Sequence, residues 1–185
     1  MIHFDLPTEK SSIIKVIGVG GGGSNAVNYM FNQHIEGVNF VICNTDAQAL
    51  AISGVPNRVQ LGPYLTQGLG AGANPDIGRQ ATEESLEEIR RILEVNTKMV
   101  FVTAGMGGGT GTGGAPIVAK ICKEMGILTV GIVTTPFAYE GKKRMQQADE
   151  GIKQLRQHVD TLLIISRSEE HTSELQSHSF ISYAV

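Results

Sequence analysis

Two glycine-rich stretches hold the residues best suited to chemistry in this sequence: "GVGGGGSNA", from Gly18 to Ala26, and "GMGGGTGTGG", from Gly105 to Gly114. Glycine inside a regular element costs roughly 0.5–1 kcal/mol relative to alanine. Clusters of this kind therefore indicate a backbone that must come close to something. Amides without side chains in the way can wrap a phosphate, and a helix N-terminus adds partial positive charge. In the first stretch, Gly18, Gly20 and Gly23 meet the G-x-G-x-x-G spacing of a dinucleotide loop. Its candidate ligand residues are Gly20, Gly21, Gly22, Gly23, Ser24 and Asn25. In the second stretch they are Gly107, Gly108, Gly109, Thr110, Gly111, Thr112 and Gly113. No G-K-[ST] follows it, so the cradle would consist of amides rather than a P-loop lysine. The hydroxyls of Thr110 and Thr112 could reach phosphate or a magnesium-bound water. A third loop, "GLGAGANP", offers Ala71, Gly72 and Ala73 for close approach to a terminal phosphate. Each loop also has a plainer reading. The first could be a tight strand-to-helix turn, and the third an ordinary Gly/Asn/Pro turn. The second is no flexible linker, because it joins an apolar run to an amphipathic one.

The elements around these loops decide where they lie. Short β-branched runs predict strands at 13–19, 38–44, 58–61, 98–104, 127–136 and 160–166. Helical patterns separate them. The first has Ala26, Val27, Met30 and Phe31 on one face, and a short helix covers 47–53. A single amphipathic helix over 77–95 has Ile89, Ile92 and Leu93 on its stripe. Another covers 115–125 with Pro116 in its first turn, and a last one covers 141–159. Alternation of this kind predicts an α/β fold: a Rossmann-like, doubly wound parallel sheet with strand order 3-2-1-4-5-6. Ligands of such sheets sit beyond the carboxyl ends of the strands. Both large glycine loops fall at such ends, and that order makes them neighbours facing one crevice.

Composition fits a globular domain, with 41% hydrophobic and 18% charged residues. A net charge of −3 gives no basic field for nucleic acid. Cys43 and Cys122 have no metal spacing and read as buried thiols in a reducing compartment. The N-terminus lacks the apolar core of a signal peptide, and no run approaches the roughly 20 residues that span a bilayer. The expected organisation is an N-terminal extension over 1–12, one domain over 13–166, and a non-native or disordered tail over 167–185. The tail stretch "RSEEHTSELQSH" reads like translated sequencing adapter, which would leave the native sequence after Ser166 undetermined. His171 and His178 sit in it at a spacing that suits no common metal site.

Taken in order, "GVGGGGSNAV", "NTDAQAL", "GLGAGANP", "GGGTGTGG" and "TPFAYEGKKRM" resemble the FtsZ family, the bacterial cell-division relatives of tubulin. The resemblance runs from about Ile13 to Ser166. It implies that the ligand is GTP or GDP, with Mg2+ held through the phosphates and no direct metal ligand from this chain. It places Gly21, Gly22, Gly23 and Asn25 in the first phosphate loop, and Asn44 and Asp46 near phosphates and metal. Ala71, Gly72 and Ala73 would sense the γ-phosphate, and Gly109, Thr110 and Gly111 would bind phosphates. Glu140 and Arg144 match ribose-side contacts. Asp46 could instead simply cap the following helix. Lys142, Lys143 and Arg144 could be a solvated first turn, although basic charge there opposes the helix dipole and so favours a nearby anion. His34 and His158 read as surface residues.

The resemblance further implies a cytoplasmic GTPase at the mid-cell division site. It would assemble head to tail with itself and meet division-ring proteins, without membrane insertion. In the family, the guanine-holding pair and the acidic loop that acts in trans lie beyond the sixth strand. Neither motif occurs in these 185 residues, so no catalytic residue is assigned and turnover by this chain alone is not expected. Two rivals are kept. An NAD-dependent oxidoreductase domain would need only the first loop and an acid at the end of strand two. A nucleotide-binding fragment without turnover would use all three loops.

Overall fold

The computed structural model describes residues 12–166. The readings of the N-terminal extension (apart from Ser12), the adapter-like tail and the His171/His178 pair lie outside those residues.

Six strands form one all-parallel sheet: β1 (Ile14–Val19), β2 (Asn39–Asn44), β3 (Asn57–Gln60), β4 (Met99–Gly105), β5 (Leu128–Thr135) and β6 (Thr161–Ser166). Their order is β3-β2-β1-β4-β5-β6, as the alternation predicts. The inner strands are near-continuous apolar runs because both faces of a parallel sheet are covered. The helices are α1 (Gly20–Asn32), α2 (Ala47–Ala51), α3 (Pro63–Thr66), α4 (Pro75–Glu84), α5 (Leu86–Glu94), α6 (Thr110–Glu124) and α7 (Lys142–Arg156). One core packs Ile17, Val19, Val102 and Val133 of the sheet against Ala81, Ile89 and Leu93 of α4 and α5, Val118 of α6 and Leu155 of α7. The opposite core is smaller. There Val27 of α1 and Leu50 of α2 pack with Val16, Phe40 and Ile42.

Three local differences from the sequence reading have physical causes. The stretch 77–95 is two helices rather than one, broken at Ser85 (φ −101°, ψ 17°). The Ser85 hydroxyl accepts from Gly62 N (3.1 Å) and donates to Gln60 O (3.2 Å), so it serves the loop leaving β3. Helix α6 starts at Thr110, five residues earlier than expected, so Pro116 lies in its second turn. Glycines 111, 113 and 114 read as helix breakers, yet tertiary contact holds them helical. The Thr112 carbonyl, which Pro116 cannot serve, faces α7 at Gly151, where a Cβ would stand 3.2 Å away. On α1, Val27 is buried while Ala26 is exposed, so the apolar stripe is narrower than expected.

Helix α1 covers β1, β2 and β4 but not the far side of the sheet. On that face Val130, Ile132 and Leu163 are half-buried and Ile165 is 38% exposed, so β6 leaves apolar surface uncovered among the described residues.

Both cysteines are buried, and burial pushes each thiol up to about 12. The native protein is therefore expected to resist thiol-labelling reagents at pH 8 and to react only on unfolding. Below the unfolded thiol's pKa of about 9 their contribution to stability is complete. As pH rises toward 12 the unfolded thiols ionise and the buried ones do not, so that contribution is lost. Labelling kinetics with and without urea check this. Fast labelling of the native protein would contradict it.

Candidate functional site

Because β1 and β4 are neighbours, the loops that leave them meet at the carboxyl edge of the sheet. Helix α1 begins at Gly20 and α6 at Thr110, and a Cβ on Gly20 would stand 2.7 Å from Gly111 N. Two helix N-termini thus lie side by side. Neither first turn has a side-chain cap or an acidic residue. Helix N-termini carry amides without intrahelical acceptors, so this edge concentrates N–H donors and positive dipole.

Between them opens a cleft of about 260 Å³. It is lined by Gly21, Gly22, Gly105, Met106, Gly108, Gly109, Thr110, Gly111, Pro136, Glu140 and Arg144. Both main glycine loops and the Glu140/Arg144 pair are thereby brought together. Gly105, Met106 and Pro136, which lie inside the sequence motifs but not among the candidate ligand residues, join the lining. Glu140 accepts from Phe137 N (2.9 Å) and pairs with the Arg144 guanidinium. This links the 3-10 turn Ala138–Glu140 to the first turn of α7.

Other candidates stand around or beneath the cleft. Gly23 and Ser24 are buried within the first turns of α1 while Asn25 is exposed. Among the described residues, Ser24 Oγ is the buried side-chain polar atom without a hydrogen-bond partner. Gly107 needs its glycine, since its φ is +94°. Its N–H donates to Thr112 Oγ1 (2.9 Å), so that buried hydroxyl faces its own loop rather than the cleft. Gly113 lies where α6 presses on α4. Asn44 ends β2, with its Oδ1 3.4 Å from Asp46 N. Asp46 Oδ1 accepts from Gln48 N (2.9 Å) and Ala49 N (3.0 Å), the helix cap that was its plainer reading.

Thr45, which the sequence reading passed over, ties these parts together. Its Oγ1 is 2.7 Å from Thr110 Oγ1, and its carbonyl accepts from Gly70 N (3.3 Å) and Thr66 Oγ1 (3.3 Å). The signal available was its place between Asn44 and Asp46.

Loop 71–74 passes close behind the second glycine loop. A Cβ on Gly109 would stand 2.8 Å from that of Ala71. Gly72 and Ala73, however, line a second and larger cavity of about 580 Å³, bounded by α4, α6 and α7. Asp76, Arg79, Lys143 and Glu150 mix both charges on its walls. Size alone would favour it. The smaller cleft is the one built from helix N-termini, and its chemistry is the more specific. Among the described residues no group of three or more His, Cys, Asp or Glu could hold a metal.

Residues 13–169 match the model of the Tubulin/FtsZ family, GTPase domain. The chain is 61% identical over 156 residues to a cell division protein FtsZ of Pseudomonas putida, covering 84% of this chain and 39% of that protein. With the Coxiella burnetii protein of the same name it shares 59% over 165 residues, 89% of this chain and 42% of the relative. It thus spans about two fifths of the length of these curated relatives. Among solved structures, an empty FtsZ dimer of M. jannaschii superposes with a TM-score of 0.84 at 45% identity, over 92% of this chain and 50% of that one. A GTPγS-bound CetZ2 protofilament of Haloferax volcanii gives 0.78 at 25% identity, over 90% and 52%.

Proposed function

The chain belongs to the tubulin/FtsZ family of GTPase domains, and from that premise we propose that its glycine cleft binds the phosphates of a guanine nucleotide, GTP or GDP. The observation that carries the reading is the convergence of two uncapped helix N-termini on one cleft. Anions bind such ends through amides and dipole together. The residues present fit that ligand. Gly21, Gly22 and Gly108 to Gly111 would face phosphate oxygens, with the Thr110 hydroxyl as an added donor. Among the described residues the buried Ser24 hydroxyl, at the start of α1, lacks a partner. Arg144 would lie at the rim on the ribose side. Mg2+ would arrive with the phosphates and supply charge neutralisation there.

In the whole protein, the domain would serve a cytoplasmic GTPase at the division site, assembling head to tail and contacting other division-ring proteins. Relatives that form a dimer and a protofilament support self-association. The oxidoreductase reading is not favoured. Strand β2 ends in Asn44, and the carboxylate of Asp46 is committed to capping α2.

The nucleotide-binding reading without turnover has its own support. Among the described residues Glu140 is the only acid lining the cleft, and it is held by Phe137 N and Arg144. Among the described residues, no carboxylate lining the cleft is left over to orient an attacking water. Titration of fluorescent GTP, ATP and NAD tests the proposal, with phosphate release followed in parallel. GTP and ATP should bind within about tenfold of each other, since the cleft lining offers no polar pattern for a base edge. NAD should bind more weakly, and no steady phosphate release should follow. Selective NAD binding would overturn the reading. Strong guanine selectivity would put a base site within these residues, and steady turnover would remove the inactive-fragment form.

A further inference from the structure

We propose that Thr45, which does not line the cleft, is a positioning residue that turns the Thr110 hydroxyl proton toward a bound phosphate. The inference rests on the reading of the glycine cleft as a phosphate site.

Thr110 opens α6 and lines the cleft. Its Oγ1 lies 2.7 Å from that of Thr45, and either atom can donate. Each hydroxyl has one proton to give. If Thr110 donates to Thr45, its proton is turned away from the cleft. If Thr45 donates, Thr110 accepts that bond and keeps its own proton for an anion. A phosphate oxygen offers only acceptors, so its arrival selects the second arrangement. Thr45 is suited to hold it. Its side chain is fully buried, and its hydroxyl has Thr110 as its hydrogen-bond partner among the described residues.

Its own position is fixed from several sides. The Thr45 carbonyl takes Gly70 N and Thr66 Oγ1, both at 3.3 Å. The next residues are stitched to the same loop by the Asp46–Leu69 bridge and by Ala47 N donating to Gly68 O (3.0 Å). A β-branched side chain on so constrained a backbone has little χ1 freedom. Thr112 provides the contrast. Its hydroxyl accepts from Gly107 N and it lines the larger cavity, so Thr110 is the threonine of this helix turn that lines the cleft.

The test uses the full chain as wild type, Thr45→Val, Thr45→Ser, Thr110→Val and the Thr45→Val/Thr110→Val double variant. Affinity for a fluorescent GTP analogue is read alongside urea stability. Thr45→Val is expected to weaken binding about tenfold, the scale of one hydrogen bond to a charged group. Thr45→Ser should restore affinity to within about threefold, since it keeps the donor. With Thr110 already replaced by valine, Thr45→Val should have no further effect on affinity, because it acts through that hydroxyl. If Thr45→Val unfolds, Thr45→Cys replaces it, filling similar space with a weak donor. Wild-type affinity in the folded Thr45→Val protein overturns the inference while leaving the phosphate site intact. Additive losses in the double variant also overturn it, by showing that Thr45 acts independently of Thr110. A folded wild type that binds no nucleotide overturns the reading of the cleft and this inference with it.

Discussion

Gly113→Ala should destabilise the domain by about 3 kcal/mol or more, at the upper end of overpacking effects. A Cβ there would stand 1.9 Å from Pro75 O and 2.7 Å from Arg79 N. Both are backbone atoms of α4, so no flexible side chain can yield and the two helices would have to separate. Gly108→Ala is the matched control. Nothing lies within 4 Å of a Cβ at that position, and the change should stay within about 0.5 kcal/mol, as for an unconstrained surface site. In urea, followed by circular dichroism, the Gly113 variant should lose about 1–2 M from its midpoint. Equal midpoints for the two variants would mean that the approach of α4 to α6 is looser than the structure shows.

Gly21→Asp should separate binding from folding. A side chain at Gly21 meets nothing within 4 Å, and it would put a carboxylate in the uncapped first turn of α1. An acid there favours the helix dipole by a few tenths of a kcal/mol, so the fold should be kept or slightly strengthened. A phosphate in the cleft would meet a like charge at close range, a cost of about 4 kcal/mol at 4 Å with an effective dielectric near 20. Nucleotide affinity should fall by more than about a hundredfold, and further than in Gly21→Ala, which adds bulk to the loop without charge. An aspartate variant that binds GTP like wild type would remove the first glycine loop from the phosphate site.

The architecture was legible because its signals are local. β-branched runs mark the strands, and their alternation with helical patterns leaves few parallel arrangements. The two glycine loops were legible as a pair because strand order places them side by side. What those glycines do was only half legible. Sequence spacing cannot separate a glycine that bares an amide to a ligand from one that lets two helices touch. Gly108 belongs to the open cleft, whereas Gly113 belongs to the contact between α4 and α6. The same ambiguity hid the true start of α6, because a run of glycines scores against helix until tertiary contact holds it. The break at Ser85 was invisible since its cause is a pair of hydrogen bonds to a loop more than twenty residues away. Thr45 was missed for a related reason. Its role lies in a hydroxyl contact across 65 residues of sequence, and no motif records a contact of that kind.

The most direct test is a titration of the ¹⁵N-labelled chain with GTP and magnesium, followed by amide NMR. The account predicts that the largest shifts fall on Gly21, Gly22 and Gly108 to Gly111, at the two helix N-termini. Amides around the larger cavity, such as those of Arg79, Glu150 and Gln154, should move little. Saturable shifts centred on those three residues, with the glycine amides unmoved, would contradict it.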